Sequence, residues 1–235
     1  GMPTGLTDIV EVSCGLNICV ALDKYGTITT WGSISYYNAP ANARTDVASF
    51  SCGGYACAVV KNDGTVVTWG SKSYGGEIPS DLVLENVTKV ACGKACVALM
   101  SNGSAFAWAK IANIGGEAPP LTNVADIFCN IAVCGALMKN GSVVMWGHSS
   151  LGGEVPDNID LSKNVVEVSC GDQMCVARMN DGSIQAWGGA NQASSEDAPA
   201  LTNVANISCS IYDCVAWMND GTATSWGRLG QHWTN

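Results

Sequence analysis

Short apolar segments alternate with turn residues along the whole chain, and the alternation repeats about every 39 residues with two turn signals per period. The clearest copy runs from Val165 to Gly188, VVEVSCGDQMCVARMNDGSIQAWG, and five others match it. Each copy opens with apolar residues five and two places before a cysteine: Ile9/Val12, Val47/Phe50, Val87/Val90, Val124/Ile127, Val165/Val168 and Val204/Ile207. The position between them is usually polar, as in Glu11, Ser49, Lys89, Asp126, Glu167 and Asn206. This pattern predicts a strand buried on one face and partly on the other. A second segment follows at once (CVALD, CAVVK, CVALM, CGALM, CVARM, CVAWM), small-sided and apolar on both faces, as a strand crowded from both sides should be. Asn-Gly or Asp-Gly comes next in five copies and Tyr25-Gly26 in the first. Such pairs supply the positive φ angles that two-residue hairpin turns require. A third strand then ends on Trp31, Trp69, Trp108, Trp146, Trp187 or Trp226.

The copies start near Pro3, Pro40, Pro79, Pro119, Pro156 and Pro199, and with Pro120 these are all the prolines. Proline has no ladder donor, so it suits a boundary between units. No linker interrupts the copies, and residues 1–235 read as a single β-propeller domain. An open stack would need polar capping repeats, yet the outer copies are as apolar as the inner ones. Closure into a ring removes exposed edges, so the expectation is an all-β, six-bladed β-propeller of six repeats. Its last unit passes Trp226-Gly227 into RLGQHWTN, so the first and sixth blades are expected to pack as neighbours.

The repeat V-x-x-V-x-C-G…C-V-A-L-x-x-D-G-x-x-x-x-W-G, with a glycine loop and a proline after it, resembles that of the regulator of chromosome condensation. It is also similar to the repeat of the bacterial β-lactamase inhibitory propeller. The resemblance spans essentially the whole chain and implies the propeller fold. Three departures limit what else it implies. The family usually has a small residue at the first cysteine and a histidine before the second, where this chain has Ile18, Ala56, Ala95, Val133, Met174 and Asp213. The nuclear exchange factor has seven blades, and no wedge-like insertion breaks the repeats here. Nucleotide exchange is therefore carried over to no residue.

The twelve cysteines form six pairs, each bracketing one short turn: Cys14/Cys19, Cys52/Cys57, Cys92/Cys96, Cys129/Cys134, Cys170/Cys175 and Cys209/Cys214. Facing Cβ atoms across a hairpin lie roughly 4–5.5 Å apart, close to the about 3.5–4.5 Å of a disulfide. Disulfides are the preferred reading, with free buried thiols and a zinc site as alternatives. If they are disulfides, the protein is extracellular or secreted. Gly1 before Met2 has the form of a tag-cleavage remnant, so a signal peptide could have preceded the native chain.

Composition narrows the function. The formal charge is −9, with 11 Lys and Arg scattered singly, which argues against nucleic acid and anionic membranes as partners. Apolar runs are too short to cross a membrane as helices. No nucleophile–base set, P-loop or HExxH is present, and no enzyme activity, cofactor or metal is expected. His148 and His232 are too few and irregular for catalysis. The loops often end in G-G-E-x-P, so Glu77, Glu117 and Glu154 recur on equivalent loops and are candidate binding residues that crown one face with negative charge. Equivalent glutamates lack the two unlike environments that glycoside hydrolysis needs. The tryptophans are expected to fill the wedges between blades. Aromatics that break the repeat, Tyr36, Tyr37 and Tyr74 in loops, Tyr55 and Tyr212 in cysteine turns, and Trp233 near the C-terminus, are candidates for a protein interface. The expected function is a non-catalytic, monomeric binding propeller whose loops on one face recognise a protein partner. A multi-site lectin is the alternative.

Overall fold

A computed structural model describes residues 3–15, 18–32, 38–111, 115–189 and 198–227. It forms a six-bladed β-propeller, each blade a three-stranded antiparallel sheet in sequence order. The blades are β1 (Ile9–Cys14), β2 (Ile18–Asp23) and β3 (Ile28–Gly32); β4 (Val47–Cys52), β5 (Ala56–Lys61) and β6 (Val66–Gly70); β7 (Val87–Cys92), β8 (Cys96–Met100) and β9 (Ala105–Trp108). They continue as β10 (Val124–Cys129), β11 (Val133–Met138) and β12 (Val143–Gly147); β13 (Val165–Cys170), β14 (Met174–Met179) and β15 (Ile184–Gly188); β16 (Val204–Cys209), β17 (Asp213–Met218) and β18 (Ala223–Gly227).

Apolar residues three apart cannot face the same way on a regular strand, whose period is two. The first strand of every blade resolves this with a bulge between its first and third residues, as between Val47 and Ser49 or Val124 and Asp126. The extra residue returns the second apolar side chain to the side of the first. Val47 and Phe50 thereby pack together against Ile18, Val20 and Leu22 of the preceding blade.

The middle strands are buried on both faces because each serves two junctions. On β5, Cys57 and Val59 face the first blade, while Ala56, Ala58 and Val60 pack against Val87 and Val90 of the third. The same arrangement joins blades three to four, four to five and five to six. Small residues there let sheets stack closely on both sides.

A backbone hydrogen bond pins each of these junctions. The residue before every first strand, Asp8, Asp46, Asn86, Asn123, Asn164 or Asn203, is left-handed, with φ between 51° and 65°. Asn and Asp tolerate this region better than other L-residues. The next residue's N–H then meets the hairpin glycine of the preceding blade: Val47 to Gly26, Val87 to Gly64, Val124 to Gly103, Val165 to Gly141 and Val204 to Gly182, at 2.9–3.0 Å. The hairpin turns themselves differ from the two-residue type expected. Only their glycine has positive φ, and they close on three residues, as in Met100 N–H to Ser104 O with Gly103 N–H to Met100 O. That is a type I turn with a glycine bulge, which needs one positive φ rather than two.

The loop expected to bring the sixth blade against the first, residues 228–235, lies outside the described residues, and among the described residues the contacts of a built junction are missing there. Val12 is 54% exposed where its equivalent Ile127 is 1% exposed, and Trp217 is 44% exposed where its equivalent Leu99 is 7%. Among the described residues, no hydrogen bond joins Ile9 N–H to Gly221 O, and none from another part of the chain approaches the side-chain position of Gly221 within 4 Å. Five junctions have built cores, and the seam between β16–β18 and β1–β3 is open among the described residues.

This asymmetry sets equal repeat positions apart energetically. Ile127→Ala should lower unfolding free energy by about 2–5 kcal/mol, as a buried large-to-small change does. Val12→Ala at the equivalent position should stay within about 0.5 kcal/mol, as exposed changes do. Denaturant unfolding of both variants checks this, and comparable losses would contradict an open seam.

Candidate binding face and axial cavity

The cysteine turns and the tryptophan ends of the third strands lie at the same end of every blade, because Cys19 pairs with Trp31, Cys57 with Trp69 and so on to Cys214 with Trp226. The Asx-Gly hairpins lie at the opposite end. One face of the disc therefore carries the cysteine turns and the variable loops.

At its centre is a cavity of ≈ 330 Å³ to which every blade contributes, through Gly15, Gly53, Gly93, Asn130, Asp172 and Ile211. Its rim is tightly built. A Cβ on Gly93 would lie 1.4 Å from the carbonyl oxygen of Asn130, and one on Gly53 would lie 1.9 Å from that of Gly93. Asn130 stands where four other blades have glycine and the sixth has Ser210, and its side chain bridges instead. Its Nδ2 donates to the Gly171 carbonyl, while Oδ1 accepts from the N–H groups of Ala132 (3.0 Å) and Val133 (2.9 Å).

The chemistry at the cavity comes from the second residue after each first cysteine. That position is Gly54, Lys94, Ile131, Asp172 and Ile211 in the second to sixth blades. Its variation amid constant neighbours was the sequence signal for this site, and it was missed. Asp172 is half-buried, and burial raises its carboxyl above the usual range, with Lys94 opposing that rise. Ile131, Ile211 and the Asp172 carboxylate give the cavity an amphipathic lining.

Next to it, Tyr55 from a cysteine turn stacks on Tyr74, with centroids 4.6 Å apart and planes 25° apart. Tyr74 ends a 3₁₀ turn, Lys72–Tyr74. Glu77 on the same loop accepts from Lys72 at 2.8 Å and from Lys110 of the next blade at 3.0 Å. These hydrogen bonds, Lys72 first, hold its carboxyl below the usual range. Glu77 is thus neutralised locally, while Glu117 and Glu154 are exposed on equivalent loops. Tyr36, Tyr37, Trp233 and His232 lie outside the described residues. His148 is exposed, its Nδ1 3.0 Å from Ser150 Oγ.

The repeated glycines before these glutamates have a structural role. Gly75, Gly115 and Gly152 have positive φ and lie against Sγ of Cys96, Cys134 and Cys175 in the next blade. Their carbonyls accept from Nε1 of Trp108 (3.0 Å), Trp146 (2.8 Å) and Trp187 (2.9 Å). The tryptophans are buried between blades, as expected, except Trp31 at the seam.

The sulfurs of all six pairs, Cys14–Cys19, Cys52–Cys57, Cys92–Cys96, Cys129–Cys134, Cys170–Cys175 and Cys209–Cys214, lie at bonding distance, 1.98–2.08 Å apart. Burial also separates the cysteines from the binding candidates. Cys57, Cys96, Cys134, Cys175 and Cys214 have no exposed surface. Cys214 packs against Val204, Ile207 and Trp226 in the fifth-to-sixth junction, as the others do in theirs. Although they flank the turns of that face, these five belong to the core. Among the described residues, no group of three or more His, Cys, Asp or Glu could hold a metal. No described helix is long and apolar enough to cross a membrane.

No protein-family model matches the chain, and no curated protein sequence does. Solved structures do match it in shape. Human WBSCR16 superposes with a TM-score of 0.71 at 18% identity, over 98% of this chain and 82% of its own. Prp20p of Saccharomyces cerevisiae, the yeast RCC1, gives 0.69 at 17%, over 93% and 72%. The ectodomain of the Physcomitrella patens receptor kinase CR4 gives 0.69 at 16%, over 93% and 61%. The chain therefore has the RCC1-type propeller fold.

Asp172 gives this site a pH signature. A carboxyl whose folded pKa is raised favours folding below its unfolded pKa and loses that contribution as pH rises through the folded value. Asp172→Asn should therefore raise the melting temperature at pH 7, and the advantage should vanish in acid. Thermal scans from pH 3 to 7 check it; an Asn variant less stable at pH 7 would contradict it.

Proposed function

We propose that this protein is a non-catalytic binding propeller that recognises a protein partner through the face carrying the cysteine turns. One observation carries the reading. Of the residues that depart from the repeat, Ile131, Asp172 and Ile211 line the axial cavity, Lys94 acts electrostatically on Asp172, and Tyr55 and Tyr74 stack on each other on the same face. The opposite face keeps one Asx-Gly-Ser/Thr turn in five of six blades. Aromatic side chains such as these tyrosines are enriched at protein interfaces. Among proteins of this fold, yeast RCC1 (Prp20) has been solved bound to Kap60 and characterised for binding to Gsp1p and histones. The shared fold supports binding of protein at that coarse level.

The protein acts in an oxidising extracellular compartment, as a monomer. Six cysteine pairs at bonding distance and the likeness to a receptor-kinase ectodomain support this location. A lectin built on six similar units should repeat polar and aromatic residues in its loops. The one loop motif that repeats, G-G-E, docks onto the next blade's tryptophan and cysteine and so needs no glycan to explain it.

The test is capture of secreted proteins from the native source on immobilised, oxidised protein. A specific partner should be retained by the wild type and by a Lys139→Ala control on the opposite face. The Tyr55→Ala/Tyr74→Ala double variant should lose it, with affinity falling by at least about tenfold, as for interface aromatics. Multivalent binding on a glycan array with no protein captured would overturn the proposal.

A further inference from the structure

The ring of turn residues around the axial cavity has its N–H groups paired and part of its carbonyls free. The first residue of every cysteine turn, Gly15, Gly53, Gly93, Asn130, Gly171 or Ser210, donates its N–H within its own turn at 2.7–2.9 Å. The carbonyls of Gly53, Gly93 and Ser210 lie against the glycine of the preceding turn. Among the described residues, these three accept no hydrogen bond. The Asn130 side chain is used up, its Nδ2 on the Gly171 carbonyl and its Oδ1 on Ala132 and Val133.

Asp172 is the one charged residue in the described lining of the cavity. It makes no ion pair there, and Lys94 acts on it without contact. Half-buried and unpaired, this carboxylate opposes folding, and no described group of the chain relieves it. The cavity therefore shows a ligand one carboxylate and free carbonyls between the apolar side chains of Ile131 and Ile211.

We propose that the axial cavity receives one basic side chain, a lysine or an arginine, of the protein partner, with Asp172 as its counter-ion; this rests on the reading of the chain as a binding propeller. Ammonium and guanidinium groups carry donors and no acceptor, which is what carbonyls and a carboxylate require. Their aliphatic stems suit the two isoleucines, since long basic side chains lay the stem along apolar surface. A volume of ≈ 330 Å³ leaves room for one such side chain. The net charge of −9 also steers a basic partner toward the chain. Of the chain's own 11 lysines and arginines, only Arg228 lies outside the described residues. Among the others, Lys94 alone acts on Asp172.

The probes are two capped peptides, Gly-Ser-Lys-Ser-Gly and Gly-Ser-Arg-Ser-Gly, titrated into isotope-labelled, oxidised full-length protein. At least one should shift the amide resonances of Gly54, Ile131, Asp172 and Ile211 saturably, with a dissociation constant on the order of a millimolar. The same peptide with norleucine, which keeps the stem and lacks the charge, should not. Asp172→Asn should weaken binding by at least about tenfold, as loss of a charged hydrogen-bond partner does, with the rest of the amide spectrum unchanged. Lys94→Ala should tighten binding, because a competing cation is gone.

Equal binding to Asp172→Asn, or equal binding of the norleucine peptide, would overturn the proposal. Weaker binding to Lys94→Ala would overturn it as well, since Lys94 would then hold the peptide. So would no binding to the wild type, and peptide binding gained by Arg228→Ala alone would assign the cavity to the chain's own arginine. The Tyr55→Ala/Tyr74→Ala variant should bind the peptides as the wild type does. Loss of the cavity site is thereby distinguished from loss of the binding face.

Discussion

The junction between neighbouring blades is the constraint from which the rest of the structure follows. Each blade is a three-stranded sheet whose middle strand is apolar on both faces, so it cannot bury its own surface alone. Its stability comes from stacking on its neighbours, as in other repeat proteins. The stacking is fixed by a bulge that aligns two apolar residues, a left-handed Asn or Asp, and a hydrogen bond to the preceding blade's hairpin glycine. On the other face, a loop glycine carbonyl receives the next blade's tryptophan. The two devices pin opposite ends of the same junction.

This scheme explains why the composition is what it is. Middle strands that serve two junctions have room only for Ala, Val, Gly, a buried cysteine and a few larger side chains. The innermost turn must be glycine wherever a neighbour's carbonyl approaches, and where Asn130 replaces it the side chain itself bridges to the next blade. The junctions leave free the second residue of each cysteine turn and the loops beyond the tryptophans, all on one face.

The repeat count, the three strands per unit, the cysteine pairing and the burial of the tryptophans were legible because each is written six times. Other features were written just as often but in residues that look ordinary. Asp8, Asp46, Asn86, Asn123, Asn164 and Asn203 recur six places before the first cysteine, yet Asn and Asp are common in loops. The spacing of Val47 and Phe50 contained the bulge, since no regular strand turns residues three apart the same way. The glycines of G-G-E looked like part of a binding loop because their partners, a cysteine and a tryptophan, belong to the next unit. Lys94 and Asp172 escaped notice because a position is recognisable as an axial rim only when the ring is assembled. The seam was illegible for another reason. Ile9, Val12 and Trp217 are as apolar as their equivalents, and only the arrangement of blades shows them uncovered.

Amide hydrogen exchange at the six equivalent first-strand residues tests the central claim most directly. Protection measures whether each N–H is bonded in the native state. The N–H groups of Val47, Val87, Val124, Val165 and Val204 should exchange slowly, and that of Ile9 should exchange orders of magnitude faster. Six equally protected amides would show a ring with six built junctions and contradict the account.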